Sequence, residues 1–245
     1  MKIYLSFKDN NKRLYNLINL FNLKHDENCP ITLIVNSNSL ELHNRRNPKQ
    51  NPIKVDFTSK KNIYRCRSIQ KNEILAKVVG IKNSYYPIIL DATAGLGSDA
   101  FILSFLGCRV FMVERNPIIA ALLKDGLDRG YQDTKIGSWL KKRLQLIFDD
   151  SFHIIKSTVL EPDIIYIDPM YPLRKKTSLP KKNMQIFRTL IGKDDDAKNL
   201  LTLSRTVAKK RIVVKRPYYA KPLSKDKINF VIRGKTHRFD IYHPI

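Results

Sequence analysis

From residue 87 onward the sequence predicts an α/β fold, a largely parallel sheet with helices on both faces. Three observations predict it. Short apolar runs of strand length recur, helical stretches separate them, and four of the runs stop at an acidic residue. A strand covered on both faces reads as a continuous hydrophobic run, and such strands alternating with helices are the pattern of βαβ units. A length of 245 residues suits one large domain with a small appendage.

The first sixty residues form the appendage, a small α+β unit. A short strand lies within residues 1–7, and the spacing predicts a helix over 13–22. Ile31–Val35 is a β-branched run, followed by the turn signal Asn36-Ser37-Asn38 and the alternating segment 39–42, which together read as a hairpin. Residues 53–57 alternate again and read as a further strand. Residues 58–68 are polar and basic and read as a loop, while 72–79 carries helical spacing with Gly80 as its stop. The chain thus divides into 1–60, a basic linker and helix over 61–86, and the main domain over 87–245.

In that domain Ile88-Ile89-Leu90 ends at Asp91, and 109–113 ends at Glu114. Residues 144–148 precede Asp149 and Asp150, 164–167 precede Asp168, and 211–214 precede Lys215. Helices are expected over 99–106, 117–129 and 197–208. Residues 228–233 and 237–242, joined by Gly234-Lys235-Thr236, read as an antiparallel hairpin that closes the sheet.

Composition narrows the function. Hydrophobic residues make up 43% of the chain, which excludes a wholly disordered protein. Lys and Arg number 45 against 22 Asp and Glu, a formal charge of +23. Such a protein is expected to meet a polyanion, although the excess of Lys, Asn and Ile also reflects coding drift. No apolar run reaches the length of a membrane span, and the N-terminus has no signal-peptide core. Cys29, Cys66 and Cys108 have neither zinc-site nor redox-pair spacing. No metal and no disulfide scaffold is expected, and the cytoplasm is the expected compartment. The five histidines show no metal-like spacing and are read as non-catalytic.

Ligands of an open parallel sheet bind beyond the carboxyl ends of its strands, so the four acidic strand ends define one site. In Asp91-Ala92-Thr93-Ala94-Gly95-Leu96-Gly97-Ser98-Asp99, two glycines permit a tight turn and close backbone approach to a ligand. The loop is neither GxGxxG nor a Walker A loop, and Asp91 would repel a dinucleotide pyrophosphate. Glu114, about 20 residues on, has the position of a ribose acceptor. Asp150 and Ser151 read equally as an adenine contact or a helix N-cap. In Asp168-Pro169-Met170-Tyr171-Pro172, a carboxylate and a carbonyl can accept both hydrogens of an exocyclic amine. Tyr171 offers a stacking face for an extruded base. Taken alone, the segment reads equally as a proline-rich turn. Arg174, Lys175, Lys176, Lys181 and Lys182 follow directly, Lys215 and Arg216 close a strand beside the site, and Lys60, Lys61, Arg65, Arg67 and Lys71 precede the first main strand. Such clusters neutralise phosphates without reading sequence.

These motifs resemble those of class I S-adenosylmethionine-dependent methyltransferases acting on amino groups, whose tetrapeptide is usually Asn/Asp-Pro-Pro-Tyr/Phe. The match over 91–100, 113–117, 120–130, 144–147, 168–170, 213–217 and 237–242 is similar to the RsmJ family of 16S ribosomal RNA guanine-N2 methyltransferases. The resemblance implies a Rossmann-like methyltransferase sheet. It also implies S-adenosylmethionine as methyl donor, S-adenosylhomocysteine as product, and 16S RNA or the 30S subunit as partner. It implies cofactor contacts at Ser98, Asp99, Glu114, Arg115, Asp150, Ser151 and Asp168, beside the Asp91, Gly95 and Gly97 loop. Asp168, Pro169 and Tyr171 become the catalytic segment. Ser98 stands where the family usually has Arg or Lys, and 67–72 lacks the family's usual glycines. Those departures motivate an alternative, a non-catalytic RNA-binding or ribosome-assembly factor with a vestigial site. A DNA amino-methyltransferase is the other, since the tetrapeptide alone permits it.

Overall fold

The apolar runs become the interior of a seven-stranded sheet in the computed structural model, which describes residues 2–6, 12–36, 38–68, 73–157, 159–170 and 195–245. A four-stranded sheet precedes it, built from β1 (Lys2–Ser6), β2 (Lys24–His25), β3 (Ile31–Val35) and β4 (Leu40–Asn44), in the order β2-β1-β3-β4. Helix α1 (Lys12–Phe21) connects β1 to β2, and the β3–β4 pair is the expected antiparallel hairpin.

Residues 53–57 depart from expectation. Only Ile53 bridges to the sheet, through Leu42. The alternation is real but serves packing: Ile53, Val55 and Phe57 are buried, and Phe57 stacks on Phe101 with centroids 5.2 Å apart. Residues 58–68 also depart, since 60–68 is a helix, α2 (Lys60–Ser68). Its lysines and arginines are good helix formers, and little apolar surface marks its face. Helix α3 (Ile74–Val79) ends as expected at Gly80, whose φ of 73° is left-handed.

The main sheet takes β5 (Ile88–Asp91), β6 (Arg109–Glu114), β7 (Leu144–Phe148), β8 (Ile164–Ile167), β9 (Arg211–Pro217), β10 (Phe230–Arg233) and β11 (His237–Tyr242). Their order is β10-β11-β9-β8-β5-β6-β7. Strands β5 to β9 pair in parallel, and β11 inserts antiparallel between β9 and β10. The helices between are α4 (Ser98–Phe105), α5 (Pro117–Gln132), α6 (Gly137–Arg143), α7 (Ser151–Ser157) and α8 (Ala197–Val207). The seven-residue α6 is not among the helices that the sequence predicts. One turn of apolar spacing around Leu140 is too short a signal.

Alternate residues of each strand feed opposite sides. Ile89, Val110, Met112, Ile164, Tyr166 and Val213 pack on the side of α3, α4, α5 and α6, in a core continuous with the N-terminal sheet. Leu90, Phe111, Val113, Ile165, Ile167, Ile212 and Val214 pack on the side of α7 and α8. Both faces of the central strands β5 and β8 are covered, so these strands had to be apolar up to their acidic ends. No described helix is long and apolar enough to cross a membrane.

The N-terminal sheet is fastened to the larger one at Asp125, a buried carboxylate of α5. It accepts from Arg13 of α1, from the Leu40 backbone N–H at 3.1 Å, and from Arg129 Nε at 3.1 Å. Asp125→Ala leaves two arginines and a buried amide short of their acceptor. A loss of about 3 kcal/mol is expected in urea unfolding. A loss below about 1 kcal/mol, the value of an ordinary surface pair, would refute this role for Asp125.

Candidate active site

The carboxyl ends of β5, β6 and β8 open into a cleft of about 580 Å³. Six carboxylates line it: Asp91, Asp99, Glu114, Asp150, Asp168 and Asp196. Among the described residues, Arg115 and Lys215 are the Lys and Arg side chains in its wall. A protein of charge +23 thus has a distinctly acidic cleft.

The glycine loop is shaped by backbone constraint. Gly97, the N-cap of α4, has φ of 71°. A Cβ there would lie 3.0 Å from Met112 Sδ and 3.2 Å from Phe57 Cζ. Gly95 also has a positive φ, and its N–H donates to Glu114 Oε2 at 3.1 Å. Glu114 Oε1 accepts from the Asn116 N–H at 2.8 Å. Its carboxylate therefore ties the loop after β5 to the corner after β6, besides facing the cleft. Asn116 in turn caps α5, accepting from the backbones of Ile118 and Ile119.

Asp91 is almost fully buried, and its Oδ1 accepts from the Thr93 N–H at 3.2 Å. No described cation forms an ion pair with it. Burial, with Asp99 and Asp168 nearby, pushes its carboxyl up to about 8. Thr93, a residue the sequence reading passed over, accepts through its hydroxyl from the Asp168 N–H at 2.6 Å. It thereby fixes the end of β8 to the glycine loop. Asp168 lies with its side chain 35% exposed, open to the cleft. Burial holds its carboxyl above the ordinary value, against the opposing pull of Lys215.

Asp150 and Ser151 stand where α7 begins, and there the N-cap reading holds. Asp150 Oδ1 accepts from the Phe152 N–H at 2.8 Å, capping α7, and both residues line the cleft. The Ser151 hydroxyl donates to the Ala92 carbonyl at 2.6 Å. Arg115 reaches both Asp150, at 3.7 Å, and Asp196, which precedes α8. Ser98 and Asp99 open α4, and Pro169 and Met170 line the cleft.

Two residues assigned to the RNA surface from sequence stand elsewhere. Lys215 is inside the cleft, its Nζ 2.8 Å from Asp99 Oδ2 and 2.9 Å from Asp168 Oδ2. Arg216, one residue on, points to the other side of the sheet, is 7% exposed, and donates to the Lys221 carbonyl. Alternation along β9 separates them. Tyr171, Arg174, Lys175, Lys176, Lys181 and Lys182 lie outside the described residues. His237, set aside with the other histidines, lines the cleft at the start of β11. Its position was not legible because the strand pairing that delivers it is non-local.

A family model described as a putative SAM-dependent methyltransferase matches residues 16–244. A protein named ribosomal RNA small subunit methyltransferase J from Buchnera aphidicola subsp. Acyrthosiphon pisum (strain APS) is 64% identical over all 245 residues, 100% of each chain. The chain belongs to the ribosomal RNA small subunit methyltransferase J family. A member from Erwinia tasmaniensis is 49% identical over 224 residues, covering 91% of this chain and 90% of that one. The crystal structure of a SAM-dependent methyltransferase from Neisseria gonorrhoeae superposes with a TM-score of 0.76. It is 31% identical and covers 100% of this chain and 96% of that one.

Membership of this methyltransferase J family implies S-adenosylmethionine, which carries a sulfonium and an ammonium. The chain's own residues fit it. A buried carboxylate without an ion-pair partner, in an acidic cleft, is the donor set such a cation needs. Among the described residues no group of three or more His, Cys, Asp or Glu has the arrangement of a metal site.

The raised Asp91 carboxyl makes a signed prediction. The folded, ligand-free protein keeps a proton on Asp91 that the unfolded chain loses, so stability falls as pH rises from about 4 towards about 8. Asp91→Asn removes this term. Its melting temperature should exceed that of the wild type at pH 8, the gap closing towards pH 4, while S-adenosylmethionine binding is lost in calorimetry. Equal melting temperatures at pH 8 would show that Asp91 carries no charging cost.

Proposed function

We propose that the protein transfers a methyl group from S-adenosylmethionine to the exocyclic N2 of a guanine in 16S, small-subunit ribosomal RNA. The observation that carries this reading is the convergence of Asp91, Asp99, Glu114 and Asp168 on one cleft in a member of this family. Asp91 and Asp99 would face the cationic end of the cofactor. Glu114 would accept from the ribose, with Asp150, Ser151 and Arg115 on the adenine side and the Gly95–Gly97 turn giving backbone access. Bound S-adenosylmethionine supplies an electrophilic methyl group.

The residues of the chain do the rest. A guanine amine is a weak nucleophile, because its lone pair is delocalised into the ring. Asp168, with a neighbouring carbonyl such as that of Pro169, accepts the amine hydrogens and turns the lone pair towards the methyl group. As the N–C bond forms the sulfur–methyl bond would break, releasing S-adenosylhomocysteine. The carboxylate offsets the positive charge that forms on nitrogen until its proton leaves to solvent after transfer, and alignment supplies much of the acceleration. Tyr171 is assigned to stacking on the extruded base. Arg174, Lys175, Lys176, Lys181 and Lys182 are assigned to RNA phosphates. The exposed Lys60, Lys61 and Tyr64 of α2 extend that assignment over a surface next to the cleft. The cytoplasm, where ribosomes are assembled, and a small N-terminal α+β unit over residues 1–60 belong to the same reading. An intact set of strand-end carboxylates favours catalysis over a vestigial site.

Two experiments test it. Asp168→Ala should lower single-turnover methylation, at saturating cofactor and RNA, by roughly a hundred- to a thousandfold, with RNA affinity little changed. A rate within threefold of wild type would mean that other groups orient the amine. Neutralising Lys175, Lys176, Lys181 and Lys182 together should flatten the salt dependence of RNA binding. Each lost phosphate contact removes about 0.7 to 0.9 from the slope of log K against log salt. An unchanged slope would take these residues off the RNA surface.

A further inference from the structure

Lys215 is the one lysine in the described wall of the cleft, and no role in the reaction has been given to it. It comes from β9, while its partners come from two other elements, Asp99 from the first turn of α4 and Asp168 from beyond β8. We infer that Lys215 is a positioning residue for methyl transfer: its ammonium, clamped between Asp99 and Asp168, fixes the acceptor carboxylate in place and in its charged form. The inference rests on the reading of Asp168 as the amine acceptor.

The geometry divides the labour between the two oxygens of Asp168. Oδ2 receives Lys215 at 2.9 Å, and the backbone N–H is held by Thr93 at 2.6 Å. Among the described residues Oδ1 takes no hydrogen bond, and it belongs to a side chain open to the cleft. One oxygen is anchored and the other is left for the amine. An anchored acceptor is what alignment requires, since a carboxylate free to rotate would spend its lone pairs on water.

Electrostatics gives the second half. Asp99 and Asp168 share one desolvated region, and the like charge of Asp99 there drives a proton onto Asp168. A protonated Asp168 cannot offset positive charge on the amine. Among the described residues, the groups facing it are Lys215 from β9, Asp99 from α4, Asp91 from β5, Tyr166 from β8 and His237 from β11. The Tyr166 hydroxyl donates to Asp99 Oδ2 at 2.8 Å, so it serves Asp99 and not Asp168. Burial, with Lys215 beside it, holds His237 below its ordinary value, so it brings no charge at neutral pH. Burial opposes the charge on Lys215, but Asp168 and Asp99 outweigh it. Among the described residues, Lys215 is therefore the cation that keeps Asp168 ionised. Methionine at this position would keep the length of the side chain and lose the charge.

The test reads the carboxyl itself. In ligand-free protein with carboxyl-labelled aspartate, the Asp168 resonance, assigned by its loss in Asp168→Asn, is titrated by NMR. In Lys215→Met its midpoint should rise by about one to three pH units. In single-turnover methylation the acid limb of the rate should rise equally, so that the loss is severe at pH 6 and largely recovered at pH 9. Asp99→Asn should act with the opposite sign, lowering the midpoint, because a like charge is gone and Lys215 is left to Asp168. That variant keeps the inference open to refutation should Lys215→Met not fold. An unmoved titration in both variants would reduce Lys215 to a strut. A drop of about 0.7 to 0.9 in the RNA salt slope of Lys215→Met would make it a phosphate contact and overturn the inference. A shifted titration with Asp168→Ala as fast as wild type would leave the clamp standing and remove the amine-acceptor reading instead.

Discussion

Strand β5 has parallel neighbours on both sides, and this pairing decides where every chemical group of the cleft stands. Asp91 pairs with Met112 of β6 and with Tyr166 of β8, so the three strands run out at nearly one level. Each apolar run ends where its helices no longer cover it, and the first polar side chain beyond that point enters a common space. Carboxylates so placed are poor in water, and each needs a fixed donor. Glu114 has two backbone amides, Asp99 has Lys215 and Tyr166, and Asp168 has Lys215. Among the described residues, Asp91 has only the Thr93 amide. The donors are distributed unevenly, and the shortfall falls on Asp91.

The acidic cleft and the basic exterior act over different distances. At physiological salt, charges more than about 8 Å apart in solvent are largely screened, whereas desolvated neighbours at 3 Å are not. The excess of 45 basic over 22 acidic residues therefore governs encounter with a polyanion without cancelling the carboxylates inside. Reading the net charge alone would have predicted a cleft of the wrong sign.

The legible parts of the sequence were those written in local pattern. Continuous apolar runs gave β5 to β9, and the residue ending each run gave Asp91, Glu114 and Asp168. Left-handed Gly80 and Gly97 follow from their places at a helix end and a helix start. What was missed depends on partners distant in the chain. Lys215 read as part of a basic surface because Asp99 and Asp168, its partners, lie 116 and 47 positions away. Segment 53–57 alternates as a strand does, but its apolar side meets α4 and α5, not a neighbouring strand. Gly126 leaves the space that Val55 fills, a Cβ there coming within 2.4 Å of Val55 Cγ1. Helix α2 was hidden by the rule that a polar, basic stretch is a loop. That rule fails here, where Lys60, Lys61, Arg65 and Arg67 are all compatible with a helix.

The terminal hairpin shows why one antiparallel strand matters to a parallel sheet. A parallel strand beside β9 would bring only its last residue to the carboxyl edge and then lead away into a helix. Strand β11 runs the other way, so it begins at that edge, with His237 opposite Pro217 and Phe239 opposite Lys215. Its approach from β10 leaves Gly234, Lys235 and Thr236 at the same rim. Thr236 and His237 line both the main cleft and a smaller adjoining bay of about 190 Å³, which Arg65 of α2 also borders. The carboxyl edge thus has two kinds of wall. On the β6 side are strand ends and helix N-termini, rich in carboxylates and backbone amides. On the β9 side are a hairpin turn and a basic helix, with Lys215 at the boundary between them. A sheet of parallel strands alone would have supplied the first wall and lacked the second.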